Sequence, residues 1–126
     1  MDKKVKALVV DDELSVLESF KMILGIKEYE VVTVQNQAEA EAAVKKQPFD
    51  IAFIDLRFEG RDIGLDILKK IKELAPRTEA VIVTAYASEK TKMDALQLGA
   101  MEYISKPFMM EVIYELVDRA LAKHKK

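Results

Sequence analysis

The sequence predicts an α/β fold, a (βα)5 arrangement with a doubly wound, five-stranded parallel sheet covered by helices on both faces. Short runs rich in Val and Ile alternate with longer segments whose apolar residues recur at helical spacing, which is the pattern of repeated strand and helix units. The chain has 126 residues, 50% of them hydrophobic, a size that suits one domain with one core. We therefore expect a single domain over residues 1–126.

Five segments have the composition of strands. They are residues 5–10, 29–34, 50–54, 80–84 and 102–105. The first, third and fourth are apolar at nearly every position, as expected where helices cover both faces of a sheet. We therefore expect these three to be the central strands.

Five segments have apolar residues near three-and-four spacing and are predicted as helices. They are residues 14–27, 38–46, 65–74, 89–98 and 109–123. Pro48 and Pro76 follow the second and third helices, Ser88 can cap the start of the fourth, and Gly99 marks its end. This punctuation supports the predicted boundaries.

Composition excludes several classes of protein. The chain has 20 basic and 22 acidic residues and a net charge of −2, whereas a general nucleic-acid binder is basic. It has no cysteine, which excludes disulfides and thiolate metal sites, and one histidine, His124, which excludes a multi-histidine site. We expect His124 to be solvated in a basic tail or linker start, residues 122–126. Since no apolar run approaches the roughly 20 residues that span a bilayer, and no signal peptide is evident, we expect a cytoplasmic protein.

Polar residues gather at the ends of the predicted strands. Asp11 and Asp12 follow the first strand, Asp55 the third and Lys106 the fifth, while Thr84 ends the fourth. Sheets of this class bind ligands at the carboxyl edge. Carboxylates brought together there would repel by about 4 kcal/mol per pair at about 4 Å and an effective dielectric near 20. A few oxygen ligands suit Mg²⁺ better than Ca²⁺, so we predict a magnesium site.

The remaining polar residues at this edge suit a phosphoryl group. The fixed charge of Lys106 and the hydroxyl of Thr84 can both bind anionic oxygens. Asp55, at the end of a central strand, is the natural nucleophile, and attack by its carboxylate on phosphorus would form an acyl phosphate.

Four motifs carry a resemblance to a known family. In chain order they are LVVDDE, FIDLR, VIVTAYAS and GAMEYISKPF. Together they resemble the receiver domain of bacterial two-component response regulators, over about residues 5–121. The resemblance implies the flavodoxin-like strand order 2-1-3-4-5. It also implies phosphotransfer to Asp55 from the phosphohistidine of a histidine kinase or a histidine phosphotransfer protein, and no enzymatic activity beyond this phosphotransfer and autodephosphorylation.

The resemblance also assigns residue roles. It implies that Mg²⁺ is held by three carboxylates and one backbone carbonyl, those of Asp11, Asp12, Asp55 and Arg57. Thr84 and Lys106 would contact the phosphoryl oxygens. Tyr103 occupies the aromatic switch position, which turns inward as Thr84 moves and relays the change to the surface formed by the fourth helix, fifth strand and fifth helix. The bond before Pro107 is expected to be cis, a conformation that is energetically accessible only before proline.

The segment after Asp55 departs from the family pattern. It lacks the usual proline and is one residue longer before Gly64. Arg57 and Tyr86 lie two positions beyond Asp55 and Thr84. We expect their side chains to overhang the site, screen the acyl phosphate from water and set its lifetime.

The last predicted helix has two apolar faces. One comprises Val112, Ile113, Leu116 and Ala120, and the other Met110, Tyr114, Val117 and Leu121. The two faces fit either a wide buried surface or an interface, such as a phosphorylation-dependent homodimer through the fourth helix, fifth strand and fifth helix.

Other functions remain open on the sequence alone. A haloacid-dehalogenase-like phosphatase also uses a nucleophilic aspartate and Mg²⁺, but in an Asp-x-Asp pattern after its first strand, which Asp11-Asp12-Glu13 does not match. A flavodoxin-like flavin carrier needs a phosphate loop where this chain has acids. A receiver-like module that binds partners without phosphorylation would not need the acidic set or Lys106.

Overall fold

The computed structural model describes residues 4–124, which form five strands and five helices in strict alternation. The elements are β1 (Lys6–Val10), α1 (Leu14–Ile26), β2 (Glu30–Val34), α2 (Gln37–Lys46), β3 (Ile51–Asp55), α3 (Ile63–Leu74), β4 (Glu79–Thr84), α4 (Glu89–Gln97), β5 (Glu102–Ser105) and α5 (Met110–Lys123). Residues 1–3, 125 and 126 of the predicted domain lie outside the described residues, and the last two of these belong to the expected tail.

The strands form one parallel sheet in the order β2-β1-β3-β4-β5, so the predicted fold class and strand order are confirmed. β3 and β4 are buried at every position and β1 at four of its five, whereas β2 and β5 are mostly half-buried. The three strands predicted to be central are therefore the central ones.

Helices cover both faces of the sheet. Ile51 and Phe53 of β3 pack with α1 and α5, while the alternate residues Ala52 and Ile54 pack with α2 and α3 on the opposite face. Phe20 of α1 lies over Phe53, with ring centroids 5.0 Å apart. This alternation explains why the central strands are apolar at every position.

The boundaries around the loop after β3 differ from the prediction. Asp55 belongs to β3 and pairs with Val83, and the next N–H, that of Leu56, donates to the carbonyl of Val83 over 3.1 Å. α3 begins at Ile63, two residues earlier than predicted, and the N–H of Gly64 in its first turn donates to the carbonyl of Leu56, before the helix, over 2.8 Å.

A tight turn accommodates the extra residue of this loop. Phe58 and Arg61 exchange backbone hydrogen bonds of 2.9 and 3.1 Å. Between them Glu59 and Gly60 both have positive φ, 53° and 77°, as in the two-residue turns of β-hairpins. Glu59 and Gly60, at the tip of this turn, are both exposed.

Only glycine fits at position 64. A Cβ atom there would lie 2.1 Å from the carbonyl oxygen of Asp55 and 2.6 Å from the Cα of Leu56. Both contacts are with backbone atoms, which a rotamer change cannot relieve. The close packing of α3 against the end of β3 therefore depends on the missing side chain.

α5 presents a wide buried face. Ile113, Leu116, Val117 and Ala120 are all buried, and they include members of both predicted faces. The hydroxyl of Tyr114 donates to the carbonyl of Ile23 in α1. Of the two interpretations of this helix, the wide buried face is confirmed, and Met110 is the residue of the second face that stays exposed.

The expectation that His124 is fully solvated is wrong. Its Nε2 lies 2.8 Å from Oε2 of Glu79, a buried carboxylate at the start of β4. The contact joins residues 45 positions apart, so it has no local signal in the sequence. No helix within residues 4–124 is long and apolar enough to span a membrane.

We expect Gly64→Ala to destabilise the fold by about 2 to 3 kcal/mol, the range for overpacking that the structure cannot relieve by rotamer changes. The matched control is Gly25→Ala in α1, where no atom lies within 4 Å of the added Cβ and helix propensity predicts a gain of about 1 kcal/mol. Urea unfolding monitored by circular dichroism measures both. A Gly64→Ala protein as stable as the wild type would contradict the close approach.

Candidate functional site

Three carboxylates meet at the carboxyl edge of the sheet. β1 and β3 are hydrogen-bonded neighbours, and one carboxylate oxygen from each of Asp11, Asp12 and Asp55 lies within 4.8 Å of the others. Asp11 is 2% exposed and Asp55 7% exposed, whereas Asp12 is open to solvent. The structure therefore brings together the acidic residues that the sequence predicts at this edge.

Lys106 links the two buried carboxylates. Its Nζ lies 3.0 Å from Oδ2 of Asp11 and 3.4 Å from Oδ1 of Asp55. The other oxygen of Asp11 accepts a 2.9 Å hydrogen bond from the backbone N–H of Glu13, which orients this carboxylate. The Lys106–Pro107 peptide is cis, as predicted. Lys106 is thus held at the centre of the site by charge-assisted hydrogen bonding.

The pKa values of this cluster reflect burial and charge together. The pKa of Asp55 is raised to about 6 by burial, the largest cause, and by the charges of Asp11 and Asp12, while Lys106 opposes the increase. Burial by itself would lower the pKa of Lys106, but hydrogen bonding to Asp11 and the charges of Asp11 and Asp55 raise it overall. Near neutral pH the site therefore holds one ammonium against three carboxylates and keeps an excess of negative charge.

The donor set fits a hard divalent cation. It offers carboxylate oxygens, one of them solvent-exposed, and it lacks the nitrogen and sulfur ligands that other metals prefer. Burial and the charges of Asp11 and Asp12 raise the pKa of Asp55, and a bound cation would offset the negative charge of this cluster. The predicted Mg²⁺ ligands Asp11, Asp12 and Asp55 are therefore suitably arranged, while the backbone carbonyl of Arg57 stays a prediction.

Thr84 lies at the same edge, fully buried at the end of β4. Its Oγ1 accepts a 2.9 Å hydrogen bond from the N–H of Tyr86, and its carbonyl accepts a 2.8 Å hydrogen bond from the N–H of Lys106. The accepted bond leaves the hydroxyl hydrogen of Thr84 free to be donated. A buried hydroxyl donor therefore stands beside the Lys106 backbone, as the phosphoryl-binding prediction requires.

Arg57 and Tyr86 contact each other above this edge, an arrangement that the sequence did not predict. The guanidinium carbon of Arg57 lies 4.9 Å from the centroid of the exposed Tyr86 ring. Arg57 also donates to the carbonyl of Gly60, and its Nε lies 4.0 Å from Oδ1 of Asp62. The hairpin turn thus helps to hold Arg57 in its cation–π contact with Tyr86.

Tyr103 points inward and is only 9% exposed. Its hydroxyl accepts a 3.1 Å hydrogen bond from the N–H of Ser88 and lies 2.6 Å from Oγ1 of Thr91. Ser88 caps α4 as predicted, since its Oγ accepts a hydrogen bond from the N–H of Thr91. Sequence reasoning missed Thr91, because nothing local indicates that a residue 12 positions before Tyr103 would meet its hydroxyl.

Comparisons with known proteins agree with this architecture. The model of the family described as "Response regulator receiver domain" matches residues 7–118. The alginate biosynthesis transcriptional regulatory protein AlgB of Pseudomonas aeruginosa is 42% identical over 106 residues, which cover 84% of this chain and 23% of AlgB. The response regulator protein PilR of the same organism is 34% identical over 116 residues, covering 92% of this chain and 26% of PilR. The chain thus spans about a quarter of the length of these curated relatives.

Solved structures show the same fold over nearly the whole chain. A CheY-like response regulator receiver domain protein from Methanospirillum hungatei superposes with a TM-score of 0.86 at 30% identity, covering 96% of this chain and 99% of that one. The beryllofluoride-activated NtrC4 receiver domain dimer superposes with a TM-score of 0.87 at 30% identity, covering 95% and 98%. By its fold, by the residues at the carboxyl edge of its sheet and by these matches, the chain belongs to the response regulator receiver domain family.

Proposed function

We propose that this chain is the phosphoacceptor switch of a two-component system, in which Asp55 receives a phosphoryl group from the phosphohistidine of a histidine kinase or a histidine phosphotransfer protein. The observation that supports it best is the position of the buried Asp55 carboxylate, between the acidic partners Asp11 and Asp12 and the ammonium of Lys106. Membership of the receiver family supports the same conclusion.

The proposed transfer needs an ionised Asp55. One carboxylate oxygen attacks phosphorus and forms the O–P bond of an acyl phosphate, while the N–P bond of the phosphohistidine breaks and the imidazole leaves. With a pKa of about 6, Asp55 is mostly ionised at neutral pH. Lys106, 3.4 Å from Oδ1 of Asp55, supplies positive charge, and the free hydroxyl hydrogen of Thr84 supplies a donor for the phosphoryl oxygens.

We propose Mg²⁺ as the cofactor, since receiver domains typically bind this ion at an acidic pocket. Asp11, Asp12, Asp55 and the backbone carbonyl of Arg57 would hold it. When bound, the ion neutralises charge that develops on the phosphoryl oxygens. Asp11 is already oriented for this role by the N–H of Glu13 and by Lys106.

The alternatives gain nothing from the structure. A haloacid-dehalogenase-like phosphatase carries its nucleophile in an Asp-x-Asp pattern after the first strand, and the Asp11-Asp12-Glu13 segment that follows β1 does not match this pattern. A module that works without phosphorylation would have no need to bury Asp55 at the cost of a raised pKa. We therefore propose no chemistry beyond phosphotransfer to Asp55 and its autodephosphorylation.

The output surface is proposed to lie on α4, β5 and α5. Phosphorylation would shift an existing equilibrium by giving Thr84 and Lys106 better partners in one state, with Tyr103 relaying the change. Met93 and Leu96 of α4 are exposed on this side. We propose a phosphorylation-dependent homodimer through this surface, by analogy with the dimeric state named for the NtrC4 receiver. The cytoplasmic location and the absence of direct nucleic-acid binding stay predictions.

Incubation with acetyl phosphate and Mg²⁺ is expected to label the protein once, at Asp55, and Asp55→Asn should abolish the label because the amide is not a nucleophile. Intact-protein mass spectrometry measures the added phosphoryl group. The matched control is Asp66→Asn on the exposed face of α3, which should retain it. Labelling of Asp55→Asn at the wild-type level would refute the assignment.

Mg²⁺ is expected to raise the melting temperature by a few degrees, because binding at ten times the dissociation constant stabilises the folded state by about 1.4 kcal/mol. Asp12→Asn removes the exposed ligand and should reduce this increment, whereas Asp66→Asn should leave it unchanged. Differential scanning fluorimetry with and without EDTA measures the difference. Equal increments in all three proteins would argue against the acidic cluster as the site.

Arg57→Ala and Tyr86→Ala are each expected to shorten the lifetime of the acyl phosphate severalfold, because either change removes part of the cover between Asp55 and water. Since the two side chains contact each other, the double variant should decay little faster than the worse single variant. Loss of the label after removal of the phosphodonor measures the rate. Unchanged decay in both single variants, with exposed Lys69→Ala as the control, would discard a screening role.

A further inference from the structure

The hydroxyl of Tyr103 is built into the N-terminus of α4. It lies 2.6 Å from Oγ1 of Thr91 and accepts a 3.1 Å hydrogen bond from the N–H of Ser88. The ring is packed in the core cluster that also contains Ala95 and Ala100. Both ends of the Tyr103 side chain are therefore held, the ring by apolar packing and the hydroxyl by two polar groups at one helix terminus.

Thr91 is the centre of this small network. Its Oγ1 lies 2.8 Å from Oγ of Ser88 and 2.6 Å from the hydroxyl of Tyr103, and its N–H donates to Oγ of Ser88 over 3.2 Å. Thr91 is therefore held by the cap of α4 and at the same time contacts the switch side chain. Removing the Thr91 hydroxyl would remove the contact with Tyr103 but leave the backbone N–H of Thr91 able to donate to the Ser88 cap.

We infer that Thr91 is a positioning residue of the switch, whose hydroxyl holds Tyr103 inward and couples the rotamer of Tyr103 to the first turn of α4. This inference rests on the proposed function, because it concerns the relay from the phosphorylation site. It adds Thr91 to the residues of the switch, and it adds a path of contacts from Tyr103 on β5 through Thr91 into α4.

The hydrogen bonds of the Tyr103 hydroxyl couple the rotamer of this side chain directly to the first turn of α4. If Tyr103 turned outward, it would break its hydrogen bonds to Ser88 and Thr91 together and leave the N–H of Ser88 without this acceptor. A cleft of about 430 Å³ adjoins the network, and its lining includes Tyr103, Lys92 and Ser105, so the ring has open space beside it. The hydrogen bonds to Ser88 and Thr91 therefore help the core packing to favour the inward rotamer.

α4 is suited to respond. The structure describes every residue of α4, and Ala95 is the only one of them that is buried. A helix with few buried contacts moves at low cost, so hydrogen bonds at its first turn contribute a large share of its positioning. A change at Tyr103 would thus be transmitted to the face that carries Met93 and Leu96.

The test compares the unphosphorylated protein with three variants and one control variant. Thr91→Val removes the hydroxyl while preserving shape, Thr91→Ser restores it, and Tyr103→Phe removes the partner hydroxyl. Ser88→Ala is the matched control, because it weakens the cap of α4 without removing either oxygen of the Thr91–Tyr103 contact. NMR measures hydrogen exchange of the Ser88 amide and the solvent exposure of a labelled Tyr103 ring.

We expect Thr91→Val to increase both the Ser88 exchange rate and the exposure of Tyr103 severalfold, and Thr91→Ser to restore wild-type values. Tyr103→Phe should speed Ser88 exchange to a similar extent, with little further change when combined with Thr91→Val. Ser88→Ala should speed exchange of the Thr91 amide while Tyr103 stays buried. A purely structural role for Thr91 would give no such selective exposure of Tyr103.

Phosphorylation separates this inference from the proposed function. With acetyl phosphate and Mg²⁺, Thr91→Val should take up label at Asp55 like the wild type but show smaller chemical-shift changes in the α4 amides. If the wild type takes up no label, the proposed function fails, yet exposure of Tyr103 in the unphosphorylated variants still tests the contact. The inference is overturned if Tyr103 and the Ser88 amide are as protected in Thr91→Val as in the wild type.

Discussion

The interaction on which the site depends is the contact of one lysine with two buried carboxylates. Lys106 Nζ lies 3.0 Å from Asp11 and 3.4 Å from Asp55, and these residues lie at the carboxyl ends of three different strands, β1, β3 and β5. Burying two carboxylates without a counter-charge would be costly, and the raised pKa of Asp55 shows that the lysine offsets this cost only in part. The remaining negative charge is what suits the edge to a divalent cation.

The backbone around Asp55 is shaped by a second constraint, the close approach of α3. Gly64 packs against the carbonyl of Asp55, so α3 limits the movement of the backbone that carries this side chain. The loop between them departs from the family pattern in sequence, and it contains the exposed turn at Glu59 and Gly60. A loop can vary in this way because it is exposed, whereas the glycine that meets the backbone cannot.

The same edge of the sheet communicates with α4 through side chains rather than through the backbone alone. Thr84 ends β4 and Tyr103 lies on the neighbouring β5, paired with Ile82. Tyr103 then reaches the first turn of α4 through its hydroxyl, where Ser88 and Thr91 meet it. One aromatic side chain therefore connects β5 with the first turn of α4.

The order of the elements, the central strands and the residues at the carboxyl edge could all be predicted from the sequence, because they follow from hydrophobic periodicity, local punctuation and strand direction. Contacts between residues that are distant in the chain could not be predicted in this way, because they form only when the elements pack together. The second apolar face of α5 packs largely inward, His124 meets Glu79, Arg57 stacks on Tyr86, and Thr91 meets Tyr103. The pKa of Asp55 belongs to this second group, because burial and the charges of Asp11 and Lys106 exist only once the strands are assembled.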